Sequence, residues 1–242
     1  MADPAHLHAA GVFGDWGVPD RSTPKSALIE DQLANLVDFY ADEVDRRSWY
    51  GFWDHGDVMH TYDVDRHQWR YDIGGFAWAN SELSPDLWLW YAALRSGDAK
   101  SWRLAEAMTR HTGEVDVYHM GRFAGLGTRH GVQHWSDSSK QPRVSNAAYR
   151  RIFYYLTADE RVGDLMRALA TSEQTLAGVE IGRKTGAPKE DLPEGVIQMS
   201  FGTTWAVCAG AWLTEWERTG DNKWRDRIAA GMDSIGRMPN GW

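Results

Sequence analysis

The stretch Leu87-Trp88-Leu89-Trp90-Tyr91-Ala92-Ala93-Leu94-Arg95-Ser96-Gly97-Asp98, followed by Trp102, Ala105 and Met108 set among Arg103, Glu106 and Arg110, decides the fold. Its first part is apolar nearly all round, as in a helix buried on every side. The part after Asp98 carries an apolar stripe at spacings of three and four with charges opposite, the pattern of a helix with one face in water. Asp98, in Ser96-Gly97-Asp98, sits where the first helical pattern ends and the second begins, which leaves room only for a tight turn. The join recurs at Thr157-Ala158-Asp159 and Thr219-Gly220-Asp221, at intervals of 159 − 98 = 61 and 221 − 159 = 62 residues. A fixed period of this size marks a repeated supersecondary unit.

Working outward, 147–156 and 205–213 repeat the apolar helix, and each is followed by an amphipathic one: Val162, Leu165, Met166 and Leu169, then Trp224 and Ile228, alternate with charged residues. The spacing predicts an inner layer of 82–96, 145–157 and 202–219 and an outer layer of 98–112, 159–177 and 221–237. Upstream, Thr23 before Pro24 is an N-cap signal, and Leu28, Ile29, Leu33, Leu36, Val37, Tyr40 and Val44 continue a helix over about 24–47. The expected fold class is all-α, a partial (α/α) toroid built of helical hairpins. Residues 1–22 are expected to form an N-terminal extended segment and 23–242 an incomplete toroid domain.

Connections within a hairpin take two or three residues, whereas those between hairpins span about 48–80, 113–144 and 178–201, well beyond the usual median of ~4–6. Each long loop enters an inner helix, so all three fall on one rim. Long loops in a compact domain usually carry function.

Composition narrows what that function is. The 242 residues carry Lys+Arg 26 and Asp+Glu 34, a net charge of −8, and no basic stripe, which argues against a nucleic-acid partner. One cysteine, Cys208, allows neither an intrachain disulfide nor a thiolate metal cluster. The N-terminus lacks the basic start and apolar run of a signal peptide. Gly195–Thr214 is uncharged and long enough for a membrane span, but Gly195, Gln198, Ser200, Gly202, Thr203, Thr204 and Gly210 dilute it, so no membrane partner is expected.

The first long loop holds Trp49, Trp53, Asp54, His55, Asp57, His60, Tyr62, Asp63, His67, Trp69, Arg70 and Asp72; the second holds Tyr118, His119, Arg122, Arg129, His130, His134 and Trp135. Six of the nine histidines lie in these two loops. Tryptophan faces suit the C–H face of a sugar, arginine suits a carboxylate, and histidine or tyrosine suits proton transfer, so the set fits an acidic carbohydrate. The competing reading is that these aromatic and imidazole rings only pack the loops onto the helices.

Other motifs are weak. Asp54, His55, Asp57 and His60 lack a recognised metal spacing, Asp63 and Asp65 lack the rest of a calcium loop, and no Gly-Lys-Ser/Thr follows Gly121, Gly125, Gly127 and Gly131. The expectation is no cofactor and no protein-held metal; Ca²⁺ has no motif to support it.

Residues 49–62, Trp-Tyr-Gly-Phe-Trp-Asp-His-Gly-Asp-Val-Met-His-Thr-Tyr, continue through Arg66-His67-Gln68-Trp69-Arg70-Tyr71-Asp72. With 106–119 and Arg129-His130-Gly131-Val132-Gln133-His134-Trp135, this stretch resembles the exo-rhamnogalacturonan lyase family of polysaccharide lyases. The resemblance implies β-elimination at a uronic acid of rhamnogalacturonan I, in an extracellular parent protein whose β-rich domains precede a closed toroid. It also implies that this chain is a fragment, partnered by the rest of that toroid and by those domains. Its open end is then expected to leave Trp212, Trp216 and Trp224 near incompletely covered surface and to favour self-association.

Uronate elimination needs a cation for the carboxylate, a base for the C5 proton and an acid for the O4 leaving group. The candidates are Arg70, Arg122 and Arg129 for the first and His134, His130, His60 and His119 for the second, with His134 and His130 preferred. Tyr62 and Tyr118 are candidates for the third. Trp53, His55 and Trp135 are expected to contact substrate. Two alternatives remain: a glycoside hydrolase drawing paired carboxylates from Asp54, Asp57, Asp63, Asp72, Glu114, Asp116 and Asp137, and a non-catalytic glycan-binding module.

Overall fold

A computed structural model describes residues 3–53, 55, 62–69, 85–127, 142, 146–178, 193, 194, 196, 197 and 199–241. The helices are α1 (Pro4–Ala10), α2 (Pro24–Arg47), α3 (Pro85–Ser96), α4 (Ala99–Arg110), α5 (Ala147–Thr157), α6 (Glu160–Leu169), α7 (Glu173–Gly178), α8 (Thr203–Thr219) and α9 (Asn222–Gly236). The described β-structure is a two-residue pairing of β1 (Tyr62–Asp63) with β2 (Gln68–Trp69) and a single bridge between Val117 and Gly127.

The three periodic aspartates are the N-caps of the outer helices. Asp98 accepts from the backbone N–H of Lys100 and Ser101, Asp159 from Val162 and Asp221 from Lys223, each satisfying donors that the first turn leaves open. Gly220 closes α8 in a left-handed conformation (φ 67°), one that a glycine adopts without a steric penalty. The result is α3–α4, α5–α6 and α8–α9 hairpins, with α3 packed on α5 and α5 on α8 as the inner layer. At the start of α2, Thr23 and Ser26 form a capping box with Pro24 behind it, so the helix begins where the sequence predicts.

The core runs through Leu89, Trp90, Met108, Ile152, Phe153, Met166 and Trp212. Trp90 is fully buried and donates its indole N–H to Thr109 Oγ1 at 2.7 Å, which ties α3 to α4. Glu215, 2% exposed, ties α8 to α6 by accepting from Arg167 at 2.9 Å, and it holds Arg218 of its own helix at 2.6 Å, which donates in turn to the Gly163 carbonyl of α6 at 2.9 Å.

Several expectations need correction. The segment expected to be extended forms α1, capped by Asp3, and buries Phe13 and Trp16, while Arg95 donates to the Gly17 carbonyl; its described part, from Asp3 on, is therefore docked on the helices. The outer helix expected over 159–177 breaks into α6 and α7 around Ala170–Ser172. The inner helices are not buried all round: Leu87, Trp88, Tyr91 and Tyr155 are half-buried and Leu213 is exposed. Trp212 and Trp224 are themselves 5% exposed and Trp216 is half-buried, while Leu213 of α8, Met232 of α9 and Met238 are 41–52% exposed. A further apolar stripe is exposed on α2, where Leu28, Ile29, Leu33 and Leu36 are 43–58% exposed and Val37 is buried.

Candidate active site

At the C-terminal end of α4 the chain tightens into a π-turn, His111–Val115, closed by the Asp116 N–H donating to the His111 carbonyl five residues back at 3.1 Å. Its interior is polar yet buried. Asp86, in the first turn of α3, accepts from Thr112 Oγ1 at 3.1 Å, and Arg150 of α5 donates to the Thr112 carbonyl at 2.5 Å and the Asn146 carbonyl at 3.2 Å. Burial pushes the Asp86 carboxyl up, an effect opposed by the Arg150 charge, and burial pushes Arg150 down. Gly113 is required here, because a Cβ would stand 2.7 Å from Arg150 Nε.

The π-turn also holds the start of the first long loop. His111 Nδ1 lies 2.9 Å from both the Phe52 and Trp53 carbonyls, so its proton sits there, while Nε2 faces Asp116 Oδ2 at 3.4 Å. The Arg110 guanidinium lies 4.3 Å over the Phe52 ring and pairs with Glu114 at 3.0 Å. The Glu114 carbonyl in turn accepts from His119 Nε2 at 2.9 Å. These contacts bring the beginnings of two long loops to one rim, beside the N-terminal ends of α3 and α5.

From this base the second loop makes a tight hairpin. Tyr118 N–H donates to the Leu126 carbonyl and Gly125 N–H to the Tyr118 carbonyl, and the Val117–Gly127 bridge closes it. The rings of Tyr118 and Phe123 meet edge to face at 5.5 Å, and Arg122 lies 4.5 Å over Phe123. Thr175 Oγ1 donates to the Ala124 carbonyl at 2.6 Å and anchors the hairpin on the α6–α7 corner.

Of the residues singled out from the sequence, Tyr118, His119, Arg122 and Trp53 are found on this rim, Trp53 being 52% exposed. His60, Arg70, Arg129, His130, His134 and Trp135 lie outside the described residues. For Tyr62 only the backbone is described, paired with Trp69 in the β1–β2 ladder.

His55 is the exception, because it is 2% exposed and wedged between Tyr40, 5.7 Å ring to ring, and Trp49, 6.5 Å. Neither ring nitrogen makes a hydrogen bond of good geometry, and burial, reinforced by His111, pushes its pKa down to about 4. His55 therefore belongs to the wall under the loop and not to a substrate-facing surface. Sequence reasoning missed Asp86, His111, Thr112 and Arg150; for Asp86 and Arg150 the signal available was charge set at the start of an otherwise apolar helix, and His111 and Thr112 carried none. Among the described residues no group of three or more His, Cys, Asp or Glu is placed to hold a metal ion, and no helix is long and apolar enough to cross a membrane.

The family model described as "PcRGLX-like protein C-terminal alpha/alpha toroid domain" matches residues 1–242. The chain belongs to this family. It is the toroid of the rhamnogalacturonan-lyase type that the rim motifs resemble, and it agrees with the hairpin architecture seen here. The chain is also 42% identical over 241 residues to "Uncharacterized protein YetA" of Bacillus subtilis (strain 168), covering 99% of this chain. It spans 27% of that relative's length.

Proposed function

We propose that this domain supplies the catalytic rim of a polysaccharide lyase that cleaves rhamnogalacturonan-type pectin by β-elimination at a uronic acid. The observation that supports the reading is that the π-turn fastens the start of one long loop, where Trp53 is exposed, beside the start of the next, which carries Tyr118, His119 and Arg122. That rim offers an aromatic face, a hydroxyl, an imidazole and a permanent cation within a domain of this family.

In the reaction an arginine drawn from Arg70, Arg122 and Arg129 neutralises the uronate carboxylate and acidifies the C5 proton. A histidine takes that proton, the C5–H electron pair becomes the C4–C5 double bond, and the C4–O4 bond breaks. Tyr62 or Tyr118 returns a proton to O4. His134 and His130 are the preferred bases, ahead of His60 and His119. Trp53 and Trp135 hold the sugar ring, and the β-rich and toroidal remainder of a longer parent chain completes the cleft in the extracellular space.

The hydrolase alternative is disfavoured on the described carboxylates. Asp116 is 1% exposed beside His111, Glu114 is engaged by Arg110, and Asp63 caps its own turn through the N–H groups of Asp65 and Arg66. The experiment is a digest of rhamnogalacturonan I with a parent-length protein, followed by the ultraviolet absorbance of an unsaturated uronate. His134→Ala is expected to lower kcat by ~10²–10⁴ and Trp53→Ala to raise KM with little change in kcat. New reducing ends without that absorbance refute elimination and leave hydrolysis. Binding without turnover at any pH leaves the glycan-binding module.

A further inference from the structure

A cavity of about 220 Å³ lies on the outer flank of the same rim, between the 117–127 hairpin and the α6–α7 corner. Its walls are built tightly. Gly125, at φ +82°, approaches Ser172 so closely that a Cβ would lie 2.9 Å from the serine Cβ, and the Thr175–Ala124 hydrogen bond fastens the far side. The apolar floor is Val117, Leu165 and Leu169, each less than 10% exposed. Among the described residues, no Asp, Glu, Lys or Arg lines it.

The polar groups at the mouth share a bias. His119 gives its Nε2 proton to the Glu114 carbonyl, which leaves Nδ1 as an acceptor. Thr171 and Thr175 give their hydroxyl protons to the Ala168 carbonyl (3.0 Å) and the Ala124 carbonyl (2.6 Å), which leaves both oxygens as acceptors. Gln174, exposed beside them, adds a carboxamide that both accepts and donates. A ligand that satisfies this set brings several O–H donors and an apolar face. A carboxylate brings no O–H donor of its own, and among the described lining residues it would meet no cation to offset its desolvation.

We propose that this cavity is a subsite for an uncharged pyranose, seated with its C–H face on Val117, Leu165 and Leu169 and its hydroxyls donating to His119, Thr171 and Thr175. The volume is below the ~300 Å³ at which drug-sized ligands begin to fit, so it holds one ring and not an oligosaccharide. The inference deepens the lyase reading and assigns His119 to holding a neutral unit of the polymer, with proton transfer left to the other candidates.

The test is ligand-observed NMR and calorimetry on this chain with methyl β-galactoside, methyl α-rhamnoside and, as the charged control, methyl α-galacturonide. At least one neutral glycoside is expected to bind with a Kd on the order of 1 mM, the range set by a dozen ligand atoms of ordinary efficiency, whereas galacturonide binding, which the rim arginines supply, is expected to be independent of the cavity. Ala168 is exposed on α6 and lines the mouth, so Ala168→Phe fills the cavity from outside without entering the core. It is expected to weaken neutral-sugar binding by ~10-fold or more at unchanged helical circular dichroism, and Gln174→Ala by a few-fold. Absence of binding by both neutral glycosides, equal neutral-sugar binding by Ala168→Phe, or a galacturonide affinity that Ala168→Phe lowers as much as it lowers that of the neutral sugars overturns the proposal. None of these readouts involves bond cleavage, so failure of the subsite and failure of the elimination reading are separately visible.

Discussion

Acidification is expected to strike this domain first at His55. The ring is 2% exposed and its pKa is pushed from 6.5 to about 4, chiefly by burial and secondarily by His111. The backbone of Trp49 and Leu104 pulls the other way too weakly to offset this. Because the folded-state value is the lower one, the unfolded chain takes up a proton at this site first as the pH falls. Above pH 6.5 the site is neutral in both states and costs nothing. Between about 6.5 and 4 stability declines by ~1.4 kcal/mol per pH unit, and below about 4 the slope from this group vanishes, for a total near ~3 kcal/mol. Urea denaturation at intervals between pH 7.5 and 4.0 measures the decline, and comparison with His55→Phe isolates the contribution of this residue. The variant keeps an aromatic body between Tyr40 and Trp49 and is expected to flatten the profile by most of that amount. If wild type and variant lose stability in parallel, His55 is not the titrating group and the reasoning fails.

Two further perturbations address the frame that carries the rim. Arg150→Met leaves the fully buried Asp86 and the Asp116 carboxyl without the guanidinium charge and orphans the Thr112 carbonyl, so a loss of ~3–5 kcal/mol is expected by chemical denaturation. A loss under ~1 kcal/mol refutes the view that Arg150 sustains the π-turn. Asp159→Ala removes the cap from α6 and is expected to cost ~1 kcal/mol, with Asp159→Asn nearly neutral; an alanine variant as stable as wild type denies the cap an energetic role.

The hairpin frame was legible because its signals are local. A cap bonds two or three residues ahead, so Asp98, Asp159 and Asp221 announce their helices wherever the chain folds, and Thr23-Pro24 does the same for α2. What depends on distant partners was not legible. The apolar stripe of α2 reads as core, yet Val37 is buried while Leu28, Ile29, Leu33 and Leu36 are left open, because burial depends on what lies opposite and not on spacing. His55 and His119 share a residue type and a loop setting, yet one is sealed between aromatic rings and the other stands exposed. The π-turn had no sequence mark, since its extra residue is stabilised by Arg150 and Asp86 reaching in from other helices.

That extra residue acts as a phase shifter. Each α-helical residue advances the chain by about 100° and 1.5 Å, so a single-residue deletion within 111–115 that restored regular winding would rotate all that follows by about a quarter turn. Tyr118 and His119 would then point along a different bearing, although every side chain of the rim would still be encoded. Across related sequences, length within this five-residue window therefore governs the aim of the second loop more strictly than composition does, and an aligned gap there signals a different rim even where the neighbouring residues agree.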